Sequence, residues 1–189
     1  MARWQPGAQE RLQTVALQLF ADRGFEQTTV AEIARVAELT ERTFFRHFAD
    51  KREVLFAGQD DFLQLFTDPI ETAPDGTAAY ELIRRSLDAA GEFFPDERRA
   101  FARVRASIID AEPSLREREL AKLATLKVRL GELLRQRGIP EPTATLAAET
   151  GVTIFHLSFQ QWIADKEQRS MSEIARERLD VMVAMTAAG

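Results

Sequence analysis

The sequence lacks cysteine altogether, and its 189 residues include only two histidines and one tyrosine. Without cysteine the chain forms no disulfide and holds no thiolate-bound metal, and a cysteine nucleophile is excluded. No apolar run approaches the roughly 18 residues that a membrane-spanning helix needs, and the N-terminus MARWQPGAQERL has no apolar stretch of the kind found in secretory signals. We therefore expect a cytoplasmic protein that does not bind membranes.

The chain as a whole has no excess of positive charge for binding a nucleic acid, because its net charge is −5. The acidic surplus is unevenly distributed. Residues 1–56 hold eight basic and eight acidic side chains, so the whole surplus lies beyond them. Within that first part, the stretch 42–52 holds four Arg or Lys side chains and a histidine against a single acidic residue, Asp50. A local basic patch is sufficient to dock on a duplex, even in a protein that is acidic as a whole.

Strand patterns are missing, because no segment alternates convincingly between apolar and polar residues. Apolar residues at helical spacing instead predict a first helix that ends at Gly24. Thr29, with Glu32 three residues later, is a capping box that begins a short second helix. Thr40 begins a third short helix, and a longer fourth helix is predicted over 51–67.

Prolines and glycines divide the remainder of the chain, and five more helices fit between them. We place these helices near 77–93, 95–110, 113–137, 142–166 and 171–187. No repeat and no low-complexity tract interrupts the pattern. The sequence therefore predicts an all-α protein of about nine helices.

The two short helices form a weak core but suit a DNA groove. A helix-turn-helix inserts its second helix into the major groove while the first crosses the backbone. Residues 40–48 would be the inserted helix, with Phe44 and Phe48 directed inward. The residues then available to the groove are Arg42, Thr43, Phe45, Arg46 and His47. The arginines can donate to guanine, Phe45 can rest on a thymine methyl or a sugar, and Lys51 can attract phosphate.

At this point the segment GFEQTTVAEIARVAELTERTFFRHFADKREVLF resembles the TetR family of transcriptional regulators, whose pattern it matches at nearly every place from Gly24 to Leu55. The resemblance implies a homodimer whose N-terminal helices bind double-stranded operator DNA. It also implies a C-terminal helical region that pairs the subunits and holds a small-molecule effector. By position in the pattern, the residues that look like phosphate contacts are Thr29, Thr40, His47 and Lys51. Those nearest the bases are Arg42, Thr43, Phe45 and Arg46.

Two residues depart from the family pattern. Glu38 stands at the turn glycine, where a left-handed backbone would cost about 1–2 kcal/mol, so the turn is expected to be strained or reshaped. Phe45 stands where the pattern usually has tyrosine, which removes a hydroxyl that would reach phosphate. Neither change excludes DNA binding.

We predict a three-helix DNA-binding domain over 1–50, with the helix over 51–67 as connector, and an effector-binding and dimerisation domain over 51–189. The last two helices are apolar over too wide an arc for a single buried face. Four such helices, two from each subunit, suit a symmetric interface. The residues assigned to that interface are Gly151, Ile154, Trp162, Leu179, Met182 and Val183.

An effector chamber is marked less clearly by aromatic residues on the predicted fifth, sixth and eighth helices. Its candidate residues are Phe94, Phe101, Arg105, Phe155, His156 and Phe159, which favour an apolar or aromatic effector. A lone histidine such as His156 is more often structural than ligand-binding.

An enzyme and a small-molecule sensor are two other classes of function open to an all-α chain. Neither histidine follows a glutamate by three residues, and no HExxH or phosphate-binding loop occurs, so we expect no enzyme, no metal and no cofactor. The alternative is a helical small-molecule sensor that has lost DNA binding through Glu38 and Phe45. The sequence favours a TetR-type regulator, released from DNA by its effector.

Overall fold

The computed structural model describes residues 7–187, apart from the side chains of Gln59, Thr186 and Ala187. Over these residues the chain forms ten α-helices and one 3-10 turn, without strands, which confirms the predicted all-α class. The helices are α1 (Ala8–Arg23), α2 (Val30–Val36), α3 (Glu41–His47), α4 (Glu53–Phe56), α5 (Gln59–Glu71), α6 (Ala79–Phe93), α7 (Arg99–Ala111), α8 (Pro113–Gln136), α9 (Thr143–Trp162) and α10 (Met171–Ala187). No helix in this described range is long and apolar enough to cross a membrane.

The helix predicted over 51–67 is two helices in the structure. Gly58 takes a left-handed backbone, with φ 79°, and separates α4 from α5. The apolar spacing continues across the break, which is why periodicity alone suggested one helix. Pro69 lies inside α5 and does not end it.

Two compact units divide the chain. The first contains residues up to 59 together with 104–117. Its core is built from α1 to α4 and from apolar residues of the later segment, Ile108, Ile109 and Leu115. The sequence division after residue 50 assigned this segment to the second domain. Helical periodicity identifies a buried face but not the neighbour that covers it, so the sequence did not reveal this packing.

The second unit contains residues 60–103 and those from 118 onward. Helices α6, α9 and α10 pack together in it, and two glycines permit their close approach. A Cβ at Gly151 would lie 3.0 Å from Cγ2 of Ile83, and one at Gly91 would lie 3.0 Å from Cα of Ser172. The buried hydroxyl of Ser86 donates to the Phe66 carbonyl at 2.7 Å, which adds a hydrogen bond between α6 and α5.

Four of the six residues predicted for a subunit interface are buried within this unit instead. Gly151, Ile154, Trp162 and Leu179 are in the core, Met182 packs against it, and only Val183 is exposed. The wide apolar arc of α9 and α10 was read correctly, but its inner half was assigned to a partner. The outer half of α9 carries Leu146 and Leu157, and both are exposed.

Gly91 of α6 and Gly131 of α8 provide a matched test of the packing between α6 and α10. Gly91→Ala is expected to lower the free energy of unfolding by about 1–3 kcal/mol, because the new methyl group meets the backbone of Ser172 and forces α6 and α10 apart. Gly131→Ala, whose methyl group would lie 3.5 Å from its nearest neighbour, is expected to stabilise α8 by about 0.5–1 kcal/mol. Urea denaturation of both variants measures the difference. Equal stability of the two would contradict the close packing of α6 on α10.

Candidate nucleic-acid interface

Helix α2 begins at the predicted capping box. The backbone N–H of Glu32 donates to the hydroxyl of Thr29 at 3.2 Å, and the backbone N–H of Thr29 donates to the Glu32 carboxylate at 3.0 Å. The Thr29 hydroxyl donates to the same carboxylate at 3.1 Å. Hydrogen bonds from the Thr29 backbone and side chain hold the pKa of Glu32 below its usual range. The Thr29 hydroxyl proton is therefore directed at Glu32, so a phosphate would meet this residue through other atoms or after the hydroxyl turns.

Helix α3 is fixed at its start and along its inner face. The Thr40 hydroxyl caps the helix by accepting the backbone N–H of Thr43 at 3.1 Å, and the two threonine hydroxyls lie 3.0 Å apart. On the inner face Phe44 and Phe48 are buried, with ring centroids 5.2 Å apart. This anchoring leaves Glu41, Arg42, Phe45 and Arg46 exposed on the outer face.

The turn between α2 and α3 keeps the left-handed backbone that the sequence put in question. Glu38 has φ 57° although it is not glycine. The backbone N–H of Leu39 donates to the carbonyl of Ala34 at 2.8 Å, which closes the end of α2. The turn is therefore not reshaped, and the strain of about 1–2 kcal/mol remains in the structure.

Positive charge on the outer face of α3 is not neutralised within the chain. Arg42 and Arg46 form no ion pair or hydrogen bond with any residue between 7 and 187 whose side chain is described. By contrast, Arg52 is paired with Asp50 at 2.7 Å and Arg23 with Glu32 at 3.3 Å. The two arginines of α3 are thus available to an external anion.

Lys51 and His47 are less open than their predicted phosphate contacts require. The ammonium of Lys51 donates to the carbonyl of Phe25 at 2.7 Å and lies 4.1 Å from the centre of that ring. Nε2 of His47 is buried and has no partner among the described residues, so this nitrogen does not face a phosphate in the present conformation. Lys51 has a structural role that its place in the family pattern did not reveal.

The predicted effector residues separate into two groups. Phe94, Phe155 and Phe159 lie together in the second unit, where their ring centroids are 5.3–6.2 Å apart. Phe101 is 46% exposed and His156 is half-buried. Arg105 belongs to the first unit, where it donates to the Leu55 carbonyl at 2.8 Å.

The aromatic cluster of the second unit is larger than the sequence indicated. Trp162 lies 5.7 Å from Phe94, and both Phe62 and Phe66 lie within 5.5 Å of Phe155. We call the following six rings the aromatic cluster: Phe62, Phe66, Phe94, Phe155, Phe159 and Trp162. The spacing of four residues between Phe62 and Phe66 marks a shared helical face, but nothing in the sequence marks its neighbour as α9.

The first part of the chain is similar in sequence to known regulatory proteins. Residues 13–57 match the family model for bacterial regulatory proteins of the tetR family. A 61-residue segment is 44% identical to the HTH-type transcriptional regulator TcmR of Streptomyces glaucescens, covering 32% of this chain and 27% of that protein. The chain thus aligns with about a quarter of that regulator's length.

Solved structures resemble the chain over nearly its whole length. The transcriptional regulator FadR of Bacillus subtilis, solved in complex with stearoyl-CoA, has a TM-score of 0.66 at 16% identity, covering 92% of this chain and 97% of FadR. AibR, solved with isovaleryl coenzyme A and operator DNA, has a TM-score of 0.54 at 18% identity, covering 93% and 97%. At such identities the likeness establishes the fold, with its N-terminal helix-turn-helix and C-terminal helical domain.

The stability of a Lys51 variant tests whether the contact of Lys51 with Phe25 is structural or whether Lys51 is only a surface charge. Lys51→Ala is expected to lower the free energy of unfolding by about 1–2 kcal/mol, because it removes the hydrogen bond and the ring contact at Phe25. Arg46→Ala, which removes an exposed and unpaired charge, is expected to change it by less than about 0.5 kcal/mol. Urea denaturation measures both. If Lys51→Ala proved as stable as Arg46→Ala, the contact with Phe25 would have no structural weight.

Proposed function

We propose that this chain is a cytoplasmic transcriptional repressor, on the premise that its residues 13–57 match the family model for bacterial regulatory proteins of the tetR family. It binds a palindromic operator as a homodimer and is released by a small-molecule effector. The observation that carries the proposal is the outer face of α3, where Arg42 and Arg46 are exposed and unpaired among the described residues. A short helix that is anchored on its inner face and carries unpaired cations on its outer face can insert into the major groove of DNA.

In this proposal the outer face of α3 reads the bases and its surroundings hold the backbone. Arg42 and Arg46 donate to guanine edges, and Thr43 and Phe45 lie beside them. Thr29, Thr40, His47 and Lys51 remain proposed phosphate contacts, although Thr29 and Lys51 must first give up part of their internal hydrogen bonding. The backbone N–H groups near the start of α3 add a favourable dipole for phosphate.

A sensor that no longer binds DNA is the weaker alternative. It was motivated by Glu38 and Phe45, yet Glu38 keeps the left-handed turn and Phe45 remains on the outer face of α3. The sensor hypothesis assigns no role to the unpaired Arg42 and Arg46 on that face. The unpaired charges therefore favour the repressor.

Homodimerisation is proposed through the outer faces of α9 and α10. Leu146 and Leu157 lie on one side of α9, and Val181 and Met185 lie on one side of α10; all four are exposed. A shallow groove runs along the same part of α10, lined by Glu173, Arg176, Glu177, Asp180, Val181 and Ala184. Because this set contains both signs of charge, a second copy related by a two-fold axis can place Arg176 against acidic residues.

The effector is proposed to enter at the aromatic cluster. Phe62, Phe94 and Phe159 are only half-buried, so these rings form an open edge of the cluster. An apolar chain can insert there by displacing the rings. Lys122 lies 4.2 Å from the centre of the Phe62 ring, which places a cation near that edge. FadR of Bacillus subtilis was solved with stearoyl-CoA and AibR with isovaleryl coenzyme A. We therefore propose an acyl thioester of coenzyme A, with the acyl chain among the rings.

DNA binding is tested with a palindromic duplex selected from a randomised pool by the full chain. Its affinity is expected to fall linearly with the logarithm of salt concentration, with a slope of about −0.9 for each phosphate neutralised. Arg46→Ala is expected to weaken the free energy of binding to this duplex by about 1–3 kcal/mol and to relax the base preference. Arg129 of the second unit, whose side chain is exposed, supplies the control, because Arg129→Ala removes the same charge elsewhere. Binding that is independent of salt, or equal loss from both variants, would contradict the placement of α3 in the groove.

Dimerisation is tested by placing a charge on one of two exposed leucines. Leu157→Glu on α9 is expected to convert a dimer into a monomer in sedimentation velocity, because it puts an unpaired carboxylate in the proposed interface. Leu120→Glu on α8, where the side chain is 63% exposed, is expected to leave the dimer intact. A monomeric wild type, or a Leu157→Glu protein that stays dimeric, would exclude this interface.

Effector release is tested with stearoyl-CoA against coenzyme A alone. Stearoyl-CoA is expected to release the protein from the selected duplex. It is also expected to change the fluorescence of Trp162 in the aromatic cluster, measured in a Trp4→Phe background. Phe159→Leu, which removes one ring from the edge of the cluster, is expected to weaken the response. No response to stearoyl-CoA at concentrations below micelle formation, or the same response to coenzyme A, would overturn this choice of effector.

A further inference from the structure

Phe45 is an unusual residue for its position in the chain. Its side chain is 54% exposed, although the neighbouring Phe44 is fully buried. In the described part of the first unit, Val36 is the other large apolar side chain left exposed. A ring that is about half exposed forgoes part of the roughly 1.5–3 kcal/mol that full burial of a phenylalanine supplies, and a partner that covers the ring would recover that part.

The ring of Phe45 is held in its outward position by the core below it. It meets Phe44 edge-on, with centroids 5.5 Å apart and planes at 80°, and Phe44 in turn packs against Phe48. Edge-to-face pairs of this kind are favourable. The ring is therefore supported on one side and open on the other, with Arg42 one helical turn before it and Arg46 directly after it.

The chemistry of the ring restricts what it can recognise. Phenylalanine has no hydroxyl, so it can neither donate to a phosphate nor pair with the polar edges of bases. Among the groups that base pairs present in the major groove, the C5 methyl of thymine is the apolar one. We propose that Phe45 is a specificity-determining residue that packs on a thymine methyl group in each half-site. This inference rests on the proposed function, because it requires α3 to lie in the major groove.

The test removes the methyl group without changing any hydrogen-bonding group of the base. A duplex is selected from a randomised pool by the full chain, and each thymine of the half-site is then replaced in turn by uracil, symmetrically in both halves. Affinity is measured by fluorescence anisotropy at fixed salt. At one position uracil is expected to weaken wild-type binding by about fourfold per half-site, the effect of about one methyl group removed from water.

Variants at residue 45 assign that effect to the ring. Phe45→Ala is expected to bind the thymine duplex more weakly and to lose the difference between thymine and uracil at that position. Phe45→Tyr, which keeps the ring, is expected to retain the difference. Val36→Ala, the matched loss of another exposed apolar side chain, is expected to retain it as well. Thermal unfolding followed by circular dichroism verifies that each variant is folded.

The outcomes separate this inference from the proposed function. Salt-dependent binding of a selected duplex in which no thymine responds to uracil would overturn the inference and leave the repressor intact. The inference would also be wrong if Phe45→Ala kept the thymine preference, or if Val36→Ala lost it. Failure to select any duplex would overturn both.

Discussion

The packing of Phe44 and Phe48 beneath α3 is the constraint on which the proposed activity depends. Helix α3 has seven residues, too few to be stable alone, so its place is set by these two rings and by the Thr40 cap. Once the rings occupy the inner face, helical geometry puts Arg42, Phe45 and Arg46 outward together. The same two contacts therefore stabilise the helix and orient the side chains that would meet DNA.

The surroundings of α3 support this arrangement at some cost. The turn before it retains a left-handed glutamate, and Lys51 is held at the Phe25 carbonyl instead of lying open on the surface. Segment 104–117 completes the core of the same unit through Ile108, Ile109 and Leu115. A unit that draws part of its core from a later stretch of the chain does not end where its sequence pattern ends.

Local signals predicted the elements of this first unit well. The helix caps and the inward phenylalanines follow from chemistry within a few residues, and the structure contains the Thr29–Glu32 box and the Thr40 cap. Errors arose where the answer depended on distant partners. Gly58 divides a helix that periodicity joined, and four residues predicted for the subunit interface are buried within the second unit. On α9 the sequence showed two apolar arcs, but only packing against α6 and α10 identifies the one with Trp162 as the core.

The central claim is that two copies of α3 enter successive major grooves on one side of a duplex. Because the chain has no cysteine, Glu41→Cys at the start of α3 places a single iron chelate on each subunit, from which strand cleavage of the selected operator can be mapped. The account predicts two cleavage centres about one helical turn, ~34 Å, apart, one in each half-site. A single centre, or cleavage spread evenly along the duplex, would contradict it.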